Sequence, residues 1–233
     1  TAPGPLLQAA LDRARTDGVG RCDLIEVPPW SALLGIVPTG WSIEWSDGAP
    51  CPVLTLPPTV AGLADRLPAS TLRKLRMNRN RADRAGGVRI IEADTATVQP
   101  MLDSLIRLHQ ARWAADDQPG VLADPRIVAF HGGAAEMLVR AGLLRLQALQ
   151  VGGVTAAACH TLLAGTDRIL FYLSGYDPAH AAISPGSLLL ASLVEQAINE
   201  GRREADFLRG REAYKYAWGG VDRLNRNARL VPA

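Results

Sequence analysis

Cysteine, aromatic residues and net charge are all scarce in this chain, and each scarcity removes a class of protein. The three cysteines, Cys22, Cys51 and Cys159, have no paired spacing, which argues against a zinc site or a disulfide framework and fits a reducing compartment. A net charge of +2 is too small for bulk attraction to nucleic acid or to an anionic membrane, so any such contact must rest on a local patch. No apolar run approaches the roughly 18 residues that a membrane helix needs, and the N-terminus lacks the basic-then-apolar pattern of a signal peptide. These absences lead to the expectation of a cytoplasmic protein with no metal and no membrane contact, and they leave a homo-oligomer open. Thr1 is not a methionine, so residues preceding it are not excluded.

What is present is an alternation of helical and extended patterns, which implies an α/β (α+β) protein. Leu6–Ala14 has helical periodicity, Cys22–Val27 reads as a strand, and Pro52–Leu56 reads as a short one. Trp30, Trp41 and Trp45 fall between them and suit a core or an interface between lobes. From Leu67 the text turns basic, with Arg73, Lys74, Arg76, Arg79, Arg81 and Arg84 against Asp83 alone, on a helix that Gly86-Gly87 ends. Such a run is a solvated face, or a contact for phosphates of CoA or RNA, or for an acidic substrate. Val88–Glu92 is a strand and Thr95–Ala114 an amphipathic helix. A loop over 116–124 follows, and then a helix over Pro125–Ala141, interrupted or kinked near Gly132-Gly133. His109 and His131 lie in these helices without a partner at metal-ligand spacing and read as structural. Leu143–Gln150, Val154–Leu163 and Ile169–Tyr176 form three successive antiparallel strands. Ala156, Ala157 and Ala158 leave room beside the middle one, for tight packing or for a ligand.

The stretch Ile169–Lys215 is the most informative. Gly175 near the end of its strand invites a bulge or a close backbone approach. Ile183-Ser184-Pro185-Gly186-Ser187-Leu188 gathers the signals of a helix start: Ser184 as N-cap, Pro185 at N1, and Ile183 stapled onto Leu188. The amides of Gly186, Ser187 and Leu188 are then free for a phosphate, with almost no side chain in the way. The helix runs to a stop at Gly201, and Glu204–Leu208 is a strand parallel to the one before the helix. Arg209 to Trp218 is too rich in polar and aromatic groups for a plain loop, and Leu224–Val231 adds a last strand.

From Val88 onward the order is strand, helix, helix, three antiparallel strands, helix, strand, which is the order of the GNAT acyltransferase core. Residues Leu72–Trp218 also resemble the GNAT subfamily named for the cellulose-biosynthesis protein CelD, related to the Fem-type peptidoglycan aminoacyltransferases. The matching text is the basic Leu72–Arg84 segment, Leu108-His109-Gln110-Ala111-Arg112-Trp113, Gly175-Tyr176-Asp177-Pro178, Ser184-Pro185-Gly186, and Asp206-Phe207-Leu208-Arg209-Gly210 with Tyr214-Lys215 and Trp218. The Ser-Pro-Gly-Ser turn departs from the arginine- or glutamine-led loops of many GNAT enzymes and carries fewer cations. The resemblance implies a mixed, mostly antiparallel central sheet with flanking helices, in a tandem arrangement with an incomplete N-terminal lobe. The expected division is a partial lobe over 1–66, a basic helical connector over 67–87 and an acyl-CoA-binding domain over 88–233.

The resemblance also implies roles. The gap between two splayed strands admits the pantetheine arm of acetyl-CoA or another acyl-CoA as co-substrate, held by Leu173, Ser174, Gly175, Ser184, Gly186, Ser187 and Leu188. Tyr214 is the candidate acid for the leaving thiolate, Lys215 stabilises the oxyanion or an anionic substrate, and Glu212 is the candidate base with Asp206 behind it. Arg209, Tyr172 and Trp218 are candidate acceptor contacts. The expected activity is an acyl-CoA-dependent N-acyltransferase acting on an amine. The alternatives are a Fem-like transferase using aminoacyl-tRNA and a non-catalytic module of polysaccharide or envelope assembly.

Overall fold

A computed structural model describes residues 3–115 and 117–233; Asp116, at the start of the expected 116–124 loop, lies outside them. The described elements are α1 (Pro3–Thr16), β1 (Cys22–Val27), β2 (Trp41–Thr55), α2 (Ala69–Arg84), β3 (Val88–Glu92), α3 (Val98–Ala115), α4 (Pro125–Arg140), β4 (Leu144–Val151), β5 (Val154–Ala164), β6 (Arg168–Tyr176), α5 (Pro185–Asn199), β7 (Glu204–Asp206), α6 (Ala213–Ala217) and β8 (Val221–Pro232). They divide into two compact units, one of residues 1–52, 209–211 and 221–233, the other of residues 53–208 and 212–220.

The first unit buries few of its apolar side chains, and Leu6, Ile25 and Val37 stay exposed. Leu11 of α1, Trp41 of β2, and Ala228 and Leu230 of β8 are its buried cluster. The C-terminal strand β8 pairs antiparallel with β1, Cys22 opposite Leu230 and Leu24 opposite Ala228. The partial lobe expected over 1–66 is therefore completed by the far end of the chain, and its own N-terminal segment stops near Pro52. A bulge breaks the β1–β8 register between Leu24 and Val27. There Glu26 takes a positive φ of 57°, and its carboxylate accepts bonds from the Ala49 amide and from Asn225. Strand β2 is longer than the Pro52–Leu56 expected, because Trp41, Ile43 and Trp45 alternate inward through a stretch whose prolines and Asp47-Gly48 disguise the period.

The second unit carries the strand order β2-β7-β6-β5-β4-β3, with β2 contributing Val53–Thr55 against β7. Strands β3 to β6 are successive antiparallel neighbours, and β7 is parallel to β6. The sheet is thus mixed and mostly antiparallel. The reversal of sense at β7 follows from the helix α5 that joins it to β6. Two apolar clusters cover the two faces. One gathers α5, α2 and Phe171, Phe207 and Trp218; the other gathers α3, α4 and the inner side of β4. Ala156, Ala157 and Ala158 are fully buried between them, so the room beside the middle strand is used for packing. The basic helix α2 belongs to this unit rather than to a connector.

Local sequence accounts for the helix ends. Gly201 at φ 77° closes α5 with the Gly201 amide on the Ile198 carbonyl and the Arg202 amide on the Ala197 carbonyl. Gly132 and Gly133 do not interrupt α4, contrary to expectation. Two glycines cost about 1 kcal/mol each against alanine, but they break no hydrogen bond, and Gly132 lets its carbonyl accept from Gln99 of α3 at 2.7 Å.

Gly175 is the tightest point of the fold. A Cβ there would lie 2.3 Å from the His109 amide nitrogen and 2.6 Å from the Leu108 carbonyl carbon, so α3 rests directly on the backbone of β6. The close backbone approach expected at this glycine is made by α3. Gly175→Ala should therefore cost about 3 kcal/mol in urea unfolding, the upper range for overpacking. Gly186→Ala, whose Cβ meets only Tyr176 at 3.7 Å, should stay within about 1 kcal/mol of wild type.

Candidate functional site

The site begins where two parallel strands separate. β6 and β7 pair at Arg168–Glu204, Ile169–Ala205 and Leu170–Asp206, and then β7 ends while β6 runs on to Tyr176. On the other side of β6, Thr161 faces Phe171 and His160 faces Leu173. Tyr172 is the extra residue of a bulge, placed at the step where β7 departs. A bulge bends its strand and breaks the ladder locally, so β6 leaves an open edge from Phe171 onward. Leu173, Ser174 and Gly175 lie along this edge, in register with His160, Cys159 and Ala158 of β5.

One end of the opening carries the start of α5. Pro185 takes the first helical position, and Ser184 adopts a left-handed conformation at φ 50° with no side-chain cap. The expected hydroxyl cap is therefore absent, because a left-handed Ser184 directs its carbonyl, not its side chain, at the helix. That carbonyl accepts the amides of Ser187 at 3.0 Å and Leu188 at 3.2 Å. Of the three amides expected to be free, Gly186 alone has no backbone partner among the described residues. The cradle is narrower than three open amides, but it is unobstructed. Helix α2 runs beside it: Arg81 donates to the Ala182 carbonyl at 3.2 Å, and Arg79 is paired with Glu195 of α5. The cations missing from the Ser-Pro-Gly-Ser turn thus stand on a neighbouring helix.

Beyond β7 the chain turns sharply. The Asp206 carboxylate accepts the Leu208 amide at 2.8 Å, and Leu208 has φ 56°. Helix α6 follows and is held from below by Thr71 of α2, whose hydroxyl donates to the Ala217 carbonyl at 2.5 Å. Lys215 is 3 % exposed; its Nζ donates to the Leu208 carbonyl at 3.2 Å and lies 2.9 Å from the Glu212 carboxylate. Burying an ammonium is costly unless it is paired and hydrogen-bonded, and these contacts supply both. Burial works to raise the Glu212 carboxyl, but the Lys215 bond and the charges of Lys215 and Arg112 outweigh it and hold the group below the usual range.

Tyr214 is 45 % exposed, with its ring edge-on to Phe207 at 6.2 Å. Burial, with the Glu212 charge adding to it, pushes the phenol up to about 12. Arg112, from the last turn of α3, makes itself felt at both Glu212 and Tyr214. Around Tyr172 stand His131 of α4 and His160 of β5, their rings 5.5 and 5.3 Å from it. Both imidazoles are buried, and burial together with the neighbouring His131 pushes His160 down to about 4.

The structure brings Glu212, at the N-cap of α6, together with Tyr214 and Lys215 of that helix. It also places Leu173, Ser174, Tyr172 and the Ser184–Leu188 turn around one opening in the second unit. Lys215 is committed inside rather than presented to solvent. Trp218, expected at the substrate, is a core side chain at 4 % exposure, because its amide continues α6 back toward the sheet and its indole joins the apolar cluster. Arg209 is exposed and belongs with residues 209–211 of the first unit. Sequence reasoning gave no role to Arg112 or His160 and read His131 as structural. Arg112 stood inside the Leu108–Trp113 text, but nothing local ties it to Glu212 a hundred residues on.

The acetyltransferase (GNAT) domain family matches residues 69–216, and the chain belongs to that family. As a member it is an N-acyltransferase in type, and no helix among the described residues is long and apolar enough to cross a membrane. The curated proteins give no match. Among solved structures, FemX is similar with TM-score 0.73 at 10% identity, covering 96% of this chain and 75% of that one. L-PGS from Bacillus licheniformis is similar with TM-score 0.65 at 13% identity, covering 94% and 70%. A conserved protein of unknown function from Bacteroides thetaiotaomicron VPI-5482 has TM-score 0.65 at 14% identity, covering 98% and 75%. At these identities the likeness is one of fold.

The Lys215 arrangement makes a measurable demand. Lys215→Met should cost about 1 kcal/mol in urea unfolding at pH 7, since the half-buried Leu208 carbonyl and the exposed Glu212 carboxylate lose their donor. A carboxyl held low in the folded state contributes stability that is fully present above its unfolded pKa, roughly 4.3, and that is lost as pH falls through the folded value. The gap between wild type and Lys215→Met should therefore narrow below about pH 4.

Proposed function

We propose that this chain moves an acyl group from acyl-CoA, acetyl-CoA in the first instance, to the amine of a small molecule, sugar or peptide. The observation that carries the reading is the open edge of β6 after Leu170, with a bulge at Tyr172 and an unobstructed helix start at Gly186 beside it. An extended pantetheine arm can pair with such an edge as an added strand would. The pyrophosphate then meets the Gly186 amide and the positive end of α5. Arg81, already bonded to the turn that precedes α5, supplies the charge that the turn itself lacks. The CelD-like subfamily and a cytoplasmic location complete the proposal, the latter supported by three free cysteines.

The chemistry follows from the side chains at the far end. The amine nitrogen attacks the thioester carbonyl, whose oxygen gains negative charge beside the backbone amides of the β6 edge. Collapse breaks the carbon–sulfur bond, and Tyr214 stands as donor to the leaving thiolate. A phenol pushed up to about 12 stays protonated across the pH range in which amines lose their proton, so donor and nucleophile coexist. Glu212 is ionised at neutral pH and takes the proton that the amine sheds; its lowered pKa makes it a weak base. Lys215 holds Glu212 and the Leu208 turn in place and acts as a positioning residue.

A Fem-like transferase using aminoacyl-tRNA is the second reading. It is favoured by Arg73, Lys74, Arg76 and Arg84, exposed on α2 and without an ion-pair partner among the described residues. That reading requires tRNA affinity that falls steeply with salt, and salt-insensitive or absent binding dismisses it.

Calorimetric titration of acetyl-CoA into the folded chain should show one site, weakened about 10-fold or more by Gly186→Glu, which sets a carboxylate against the phosphates. Absence of binding overturns the proposal. Tyr214→Phe should leave that affinity unchanged while lowering kcat by about 100-fold, the lower end for a general acid. An unaltered kcat removes Tyr214 from the chemistry.

A further inference from the structure

Arg112 is a half-buried cation without a counter-charge among the described residues. It ends α3 on the Trp113 ring, with its guanidinium carbon 4.7 Å from the ring centroid. No carboxylate among the described residues lies within ion-pair distance of it, although Glu212 is near enough to feel its charge. Glu212 is already taken, because its carboxylate is paired with Lys215 at 2.9 Å. Lys215 thus holds Glu212, while Arg112 has no ion-pair partner among the described residues. His109, the other titratable group on this stretch of α3, stays neutral at about 4 through burial and the Arg112 charge itself.

The platform under Arg112 is rigid. Gly120, at φ 65°, lies so close that a Cβ would come 2.7 Å from both His109 Cε1 and Trp113 Cδ1. The loop after α3 is thereby clamped onto these two rings, and Gln110 adds a bond to the Leu122 carbonyl at 3.1 Å. A guanidinium stacked on a fixed indole is pre-organised to present its donor fork, and a planar fork recognises an oxyanion in bidentate fashion. The donor's phosphates are not that oxyanion, for α3 and α5 cover the same three strands through separate apolar clusters, one on each face.

We propose that Arg112 is the specificity residue of the acceptor site, and that the amine acceptor carries an oxyanion, a carboxylate or a phosphate, which Arg112 holds while the amine end faces Tyr214 and Glu212. This rests on the acyl-transfer reading above. The stacked guanidinium selects for acceptors that bring a negative charge, and neutral amines of the same length leave it half-buried and without one.

The test is acyl transfer from acetyl-CoA to matched amines: 4-aminobutyrate against 4-aminobutyramide for the carboxylate arm, and phosphoethanolamine against ethanolamine for the phosphate arm, with rates corrected for the fraction of free amine. Wild type should prefer the anionic member of at least one pair by about 10-fold or more in kcat/KM, and the pair that shows it names the oxyanion. Arg112→Gln should abolish that preference through KM while leaving the neutral partner within about 3-fold and the calorimetric affinity for acetyl-CoA unchanged. Arg112→Lys, which keeps charge and loses the fork, should fall between. Equal use of both members by wild type overturns the inference, as does an equal loss on both in Arg112→Gln, or failure to acylate any of the four by a protein that binds acetyl-CoA. Absence of acetyl-CoA binding instead overturns the underlying acyl-transfer reading, so the two failures are told apart.

Discussion

The contact between α3 and the backbone of β6 at Gly175 is the constraint on which the rest depends. With no side chain at that position, the His109 amide nitrogen comes within 2.3 Å of where a Cβ would be, and the strand is pinned three residues after its bulge. Pinning β6 on one face fixes where its edge opens on leaving β7. The parallel pairs end at Leu170 and Asp206, and Tyr172 absorbs the mismatch as an extra residue. The opening is therefore a built feature of the sheet, and its edge is presented by a strand buried among its neighbours rather than by a loop.

The same economy governs charge. Lys215 is buried to hold a turn and a carboxylate, and with Glu212 so used Arg112 has no anion among the described residues. The phenol of Tyr214 is kept neutral by the burial and negative charge around it. The start of α5 differs: the Ser-Pro-Gly-Ser turn has no cation, yet Arg81 of α2 is bonded to the residue two positions before Ser184. In the proposed reading, donor end and acceptor end draw their cations from different helices, α2 and α3, which cover different faces of one sheet.

Much of this was legible in the chain. Strands Cys22–Val27 and Val88–Glu92 match their expected limits, and the GNAT order from Val88 onward is the order observed, because period-2 and period-3.6 patterns report burial directly. The long β2 was hidden by Pro50, Pro52 and Asp47-Gly48, and the uninterrupted α4 by its two glycines, since local propensity yields to packing in both places. The left-handed Ser184 was not legible, for a serine before proline reads as an ordinary cap. Nor was the burial of Lys215 and Trp218, which depends on how the turn after Asp206 rolls α6 against the sheet. Arg112 and Glu212 meet only in three dimensions.

Hydrogen–deuterium exchange resolved to peptides, with and without acetyl-CoA, tests the central claim most directly. If the edge of β6 and the start of α5 together hold the donor, amides in Phe171–Tyr176 and in Gly186–Leu188 gain protection, while those of α4 do not change. Unaltered exchange in both segments under saturating acetyl-CoA would contradict the account.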